Sequence, residues 1–377
     1  MQGRTLTGIR KMATLGLAGV FALFFISCSA PTGTGSTSTV SPTPSRATQP
    51  VNQQAQDKQE EKQPAAQQPP QEISVKLTYG AVSGSSSPLW VAQREGLFDK
   101  YGLAVNMSYV QTNTALGALA AGDVQLSTAS AQTIDMDLAG ADIVYIASAA
   151  DYFIFSIYGQ PEISSPQNLK GKTIGVTQAK AATDLALRAY LKSIGLDPDK
   201  DVKITYMRDM SAIVTSLSQK LVDAGVLSAP STLRARSSGM HEIVNLGKLK
   251  LPFTHTEIAT TRRFIKENPE AVRRFIKAYI EAIKIVKDQP KSAYAAIGQY
   301  AKLDDQSIVQ ESYQEFAGAF GRVPYVSKEA VQAVLDFSDN PKAKAAKPED
   351  YIDNSFIEEL DKVGFIRDLY GGRVPTE

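Results

Sequence analysis

Apolar residues alternate with polar or smaller ones from Ile73 through Val75 and Leu77 to Tyr79, and again from Leu103 through Val105 and Met107 to Tyr109. A period of two predicts a strand buried on one face. Between the runs lies PLWVAQREG, Pro88 to Gly96, led in by Ser85 to Ser87. A hydroxyl can cap the free N–H groups of a helix and proline tolerates its first position, so this stretch predicts a short helix that Gly96 ends. The unit is strand, Ser/Gly-rich loop, helix, strand. Its loop lies at the carboxyl end of a strand, where open α/β sheets bind ligands.

The alternation continues. Thr112 and Asn113 open a helix carrying Leu116 and Leu119, Gly122 stops it, and Val124 and Leu126 begin a third strand ahead of the hydroxyl-rich loop LSTASAQT. Asp142 to Gly159 holds two strand-like runs around a break at Ala149 to Asp151, and Gly159 to Lys172 is dense in turn formers and reads as a boundary. Beyond it TIGVT, VKITYM, VDAGVL and EIVNL read as four more strands separated by helices. Two such βα series predict parallel sheets with helices on both faces, arranged as two lobes with a ligand site between them. From Asn268 the chain turns helical, and Val272, Phe275, Ile276, Tyr279, Ile280 and Ile283 share one face, the stripe of a core helix.

Composition narrows the function. Forty basic against thirty-nine acidic residues leave a net charge of +1, so no global field points to nucleic acid. Arg4, Arg10 and Lys11 precede the apolar run Met12 to Ile26, an export signal expected over residues 1–27. Cys28, the only cysteine, follows at the expected cleavage point as a lipid-anchor residue, although Phe25 stands where a bacterial lipobox usually has leucine. Residues 28–72 are then the lipidated cysteine and a Ser/Thr/Pro/Gln-rich tether that cannot bury enough surface to fold. The two histidines, His241 and His255, have no metal-ligand spacing, and no GxSxG, HExxH, Walker or complete GxGxxG motif occurs. No catalytic residue, metal or cofactor is expected.

Four stretches carry a family resemblance: PLWVAQREGLFDKYGLAV (Pro88 to Val105), ALAAGDV (Ala118 to Val124), LKGKTIGV (Leu169 to Val176) and VDAGVLSAP (Val222 to Pro230). In this order they resemble the substrate-binding proteins of ABC importers of the nitrate, sulfonate and thiamine-precursor type, with Ala104 and Gln125 departing where relatives often carry acidic residues. The resemblance implies a type II periplasmic-binding-protein-like fold of two doubly wound α/β lobes. Lobe one would be residues 73–159 plus 250–377 and lobe two 160–249, hinged near Tyr158 to Glu162 and Leu246 to Pro252. A fungal pyrimidine synthase shares that fold but uses iron near a cysteine-rich motif, for which this chain has no cysteines.

Binding is expected from loops at strand ends: Ser85, Ser86, Trp90, Asn113, Ser127, Asp151 and Tyr152 in lobe one, and Thr177, Gln178, Thr183, Asp209 and Ser228 in lobe two. Each has a plain structural alternative: Trp90 as core, Thr183 and Asn113 as caps, the Ser83 to Ser87 loop as capping rather than anion binding. Asp151 and Asp209 favour a cation or hydrogen-bond donor, whereas Lys180, Arg208 and helix N-termini favour an anion. The expected protein is an exported, monomeric lipoprotein on a membrane, facing the periplasm or the cell exterior. It would deliver a small polar, heterocyclic or organic-anion solute to an ABC permease and its ATPase. An enzyme acting on a pyrimidine-like heterocycle and a sensory or scaffold lipoprotein are the alternatives.

Overall fold

The structure is a computed structural model and describes residues 72–373. The export signal, Cys28 and all but the last residue of the tether lie outside the described residues.

Two five-stranded sheets organise the chain. The first contains β1 (Ile73–Tyr79), β2 (Leu103–Tyr109), β3 (Leu126–Ala129), β4 (Ile143–Ser148) and β10 (Glu257–Thr261), in the order β2-β1-β3-β10-β4. The second contains β5 (Ser156–Gly159), β6 (Thr173–Val176), β7 (Lys203–Tyr206), β8 (Ala224–Leu227) and β9 (His241–Asn245), in the order β7-β6-β8-β5-β9. The orders are equivalent. In each, the first strand lies parallel between the second and third, and one antiparallel strand is inserted before the fourth: β10 in one sheet, β5 in the other.

That insertion corrects two expectations. The sheets are mixed rather than parallel, and Ser156–Gly159 pairs with β8 and β9, so the edge expected after Gly159 falls earlier. The chain crosses between sheets at residues 149–155 and returns at 250–256, and these segments pair with each other. Phe253 N–H donates to Asp151 O at 2.8 Å, Ala149 N–H to Thr256 O at 2.9 Å, and Tyr152 bridges Pro252. The hinge is therefore an antiparallel ribbon, with the Phe153 and Phe253 rings stacked 4.0 Å apart inside it. The breaker-rich stretch after Gly159 is only the loop that leads into β6.

Helices cover both sheets. The first carries α1 (Ser87–Arg94), α2 (Leu97–Lys100), α3 (Thr112–Ala121) and α4 (Gln132–Leu138); the second carries α5 (Ala182–Ser193), α6 (Met210–Ser218) and α7 (Ser231–Ser237). The carboxy-terminal helices are α8 (Arg262–Glu267), α9 (Pro269–Asp288), α10 (Pro290–Ala301), α11 (Gln306–Ala317), α12 (Lys328–Phe337), α13 (Ser355–Lys362) and α14 (Phe365–Leu369). They build onto the first sheet, α9 and α10 against α1, and α11 against α10. The apolar stripe of α9 is fully buried, as its spacing predicts. No described helix is long and apolar enough to cross a membrane.

Candidate functional site

A cavity of about 350 Å³ opens between the sheets, in the range of small-molecule sites. Its wall is built from equivalent parts. Three loops follow β1, β2 and β3 (Gly80–Ser86, Gln111–Thr112, Ser130–Gln132), and three follow β6, β7 and β8 (Thr177–Thr183, Arg208–Ser211, Ser228–Ser231). The strand end Tyr109 and the crossing residues Phe155, His255 and Thr256 complete it. Every loop lies at the carboxyl end of its strand, where helix N-termini and free backbone N–H groups converge.

Of the residues singled out in the sequence, Ser85, Ser86, Thr177, Gln178, Thr183, Asp209 and Ser228 are brought together in the cavity wall. Their local bonds explain their positions. Ser83 Oγ contacts Ser85 Oγ at 2.6 Å and Ser86 Oγ donates to Ala81 O at 2.8 Å, which folds the loop into the turn that starts α1. Thr183 Oγ1 accepts the Thr177 N–H at 3.0 Å. Asp209 caps α6 by accepting the Ala212 N–H at 2.9 Å and also takes the Arg208 Nε–H at 3.3 Å.

The other five stand elsewhere. Trp90 has 0% exposure, lies parallel to Tyr300 with ring centroids 5.8 Å apart, and meets Tyr79 edge-on. It faces the core because α1 is clamped between its sheet and α9 and α10. Asn113 points to solvent while its neighbours Gln111 and Thr112 line the cleft. Ser127 is enclosed in the sheet, where it accepts the Thr78 hydroxyl at 2.9 Å. Asp151 and Tyr152 belong to the hinge ribbon.

Sequence reasoning missed Tyr109, Gln132, His255 and Thr256. Gln132 and Thr256 line the cavity wall, and their Oε1 and Oγ1 atoms are buried without a hydrogen-bond partner in the protein. His255 lies tilted against Phe155 at 4.7 Å, its Nδ1 accepting the Ile154 N–H at 3.4 Å. Burial pushes its pKa down to about 3, so the ring is neutral at physiological pH. Among the described residues no group of three His, Cys, Asp or Glu side chains could hold a metal.

The charge conflict read from the sequence largely resolves. Asp151 is in the hinge, and Asp209 spends its carboxylate on a helix cap and on the Arg208 guanidinium beside it. A cation would meet helix N-termini and an arginine. An anion, or a neutral hydrogen-bonding molecule, fits the wall better.

Two mixed α/β lobes joined by a double crossing, with a cavity framed by strand-end loops, define the fold of periplasmic solute-binding proteins. The NMT1/THI5-like family model matches residues 84–293, more than half of the chain, and the chain belongs to that family. It is 28% identical over 252 residues to a protein of Brucella abortus (strain 2308) provisionally named a binding protein, covering 64% of this chain and 75% of that one. It is 23% identical over 314 residues to the riboflavin-binding protein RibY of Chloroflexus aurantiacus, covering 81% and 84%. The fold matches the periplasmic aliphatic sulphonate binding protein SsuA of Escherichia coli with a TM-score of 0.61 at 17% identity, covering 75% of this chain and 91% of that one.

Proposed function

We propose that this chain is the solute receptor of an ABC importer, exported through its amino-terminal signal, tethered to a membrane by an acylated Cys28, and monomeric. The lobes are residues 73–148 plus 257–373 and residues 156–249. They rotate about the ribbon at 149–155 and 250–256 to enclose a small anionic or neutral solute that is released unchanged to a permease. The observation that carries this reading is the convergence of six equivalent strand-end loops, three from each sheet, on one cavity. Only contacts made in the closed form can shift the equilibrium toward it.

The test is a thermal-shift screen of small organic anions, flavins, neutral heterocycles and organic cations on the purified protein, followed by mass analysis of the recovered ligand. A receptor returns the ligand intact. A converted ligand would mean an enzyme, and raised melting points confined to cationic compounds would overturn the assigned solute class.

A further inference from the structure

Helix α11 belongs to the first lobe, yet one side of it reaches into the second. Glu315 Oε2 accepts the N–H of Ala229 at 2.9 Å, inside the Ser228–Ser231 loop of the cavity wall. One turn earlier, Glu311 pairs with Arg236 of α7. Around Glu315 lie Glu311 of its own helix and Glu242 and Tyr158 of the second lobe, while Arg236 of the second lobe pairs with Glu311 and also faces Glu242 and Tyr158. Glu242 is itself held by Ser156 Oγ at 2.8 Å. Glu311 and Glu242 thus share one guanidinium in the seam between the lobes, with Glu315 beside both carboxyl groups.

We propose that Glu315 is a positioning residue of the solute site: in its protonated form it holds the Ser228–Ser231 loop against the first lobe, and its ionisation loosens that closure. The proposal rests on the hinged-lobe reading above. Burial first, then the nearby Glu311 and Glu242, push the Glu315 pKa up from 4.5 to about 8, against the opposing Ala229 N–H. Hinge opening removes Ala229, Arg236, Glu242 and Tyr158 together, because all four ride on the second lobe. The carboxyl then returns toward its ordinary value, so closure takes up a proton between about 4.5 and about 8. Falling pH favours the closed form through that window. The gain is lost as pH rises to about 8, at up to about tenfold per pH unit.

The experiment uses the full chain with Cys28→Ser, spin-labelled at Thr114→Cys and Ser237→Cys, two exposed positions on opposite lobes. Distances are read by double electron–electron resonance at pH 5.5 and pH 9 without added ligand. The expected result is a short distance at pH 5.5 that shifts to a longer one at pH 9, and a short distance at both in Glu315→Gln, whose neutral amide still accepts the Ala229 N–H. A wild-type distance that ignores pH, or a Gln variant that shifts as wild type does, overturns the proposal. Glu315→Lys separates the two readings. Opening of the Lys variant at both pH values beside a pH-insensitive wild type removes only the proton coupling. Unchanged distances in both would remove the hinged lobes as well.

Discussion

The loops after β1 and after β6 occupy the same place in two equivalent sheets, yet they are held by different means. The first, Gly80–Ser86, is braced from outside: at Gly84 a Cβ would lie 2.7 Å from Ser312 O and 2.5 Å from the Phe316 ring of α11. The second, Thr177–Thr183, is tied by its own bonds: Thr183 to Thr177 N, and the buried Asp184 to both Lys180 N at 2.7 Å and Arg188 Nε at 2.9 Å. The difference follows from where the carboxy-terminal helices build. Lobe one has a second layer against which to press its binding loop, whereas lobe two must fold its loop onto itself.

If lobe one is held by packing, the largest effect comes from the core beneath its loop. Trp90→Ala should lose about 3–5 kcal/mol in chemical denaturation, as large buried aromatics do. An unchanged midpoint with lost solute affinity would return Trp90 to the cleft and break the comparison. In lobe two the corresponding lever is electrostatic. Asp184→Ala strips the Lys180 N–H of its acceptor and Arg188 of one partner, leaving it Asp199 at 2.7 Å and the Tyr206 hydroxyl at 3.5 Å. The expected cost is about 1.5–3 kcal/mol, the range for hydrogen bonds to charged groups. Faster amide exchange should be confined to the segment around Lys180; if it spreads to the loop after β1, the lobes are not supported independently.

These supports explain what could be read from the sequence. Ser85, Ser86, Thr177, Thr183 and Asp209 were legible because small hydroxyl and carboxyl groups gather in the turn between a strand end and the next helix, which faces the cleft, although only Asp209 among them caps its helix with its side chain. Trp90 was ambiguous for the same reason: one turn of helix separates cleft from core, and only the arrival of Tyr300 from α10 decides it. The inserted strands were harder. FSIYG is mostly apolar, so its pattern suits either sheet, and only pairing with β8 and β9 assigns it. Glu257 left no trace, because nothing local marks an acid fully buried on β10, where Ser148 Oγ reaches it at 3.1 Å and burial raises its pKa well above the usual carboxylate range. His255 and Thr256 lay in a stretch legible as an extended crossing, but their place in the wall depends on how two distant crossings zip together.

The brace itself can be tested directly. Gly84→Ala puts a methyl group against the backbone of Ser312, which no side-chain rotation relieves, so α11 or the loop must shift. Overpacking of this kind costs about 1–3 kcal/mol, read as a lower denaturation midpoint. The same methyl is already present at Ala181 and Ala182 in the second loop. A silent Gly84→Ala would mean that α11 yields freely and that the first loop, too, is held by its own bonds.

Thr183→Ala should have a smaller effect still and sharpen the contrast most. It removes the acceptor of the Thr177 N–H and the 2.7 Å contact between the two threonine hydroxyls, at a cost of about 1 kcal/mol. Thr183→Ser keeps the oxygen and should recover most of that loss. The matching change in lobe one, Ser83→Ala, removes a 3.4 Å bond from Ser85 N and a 2.6 Å contact with the Ser85 hydroxyl, but in a loop already braced by α11, and should cost less. Denaturation midpoints of the three variants therefore rank Thr183→Ala below Thr183→Ser and Ser83→Ala. If Ser83→Ala proves the most damaging, hydrogen bonding rather than packing holds the first loop, and the carboxy-terminal helices lose the role given to them.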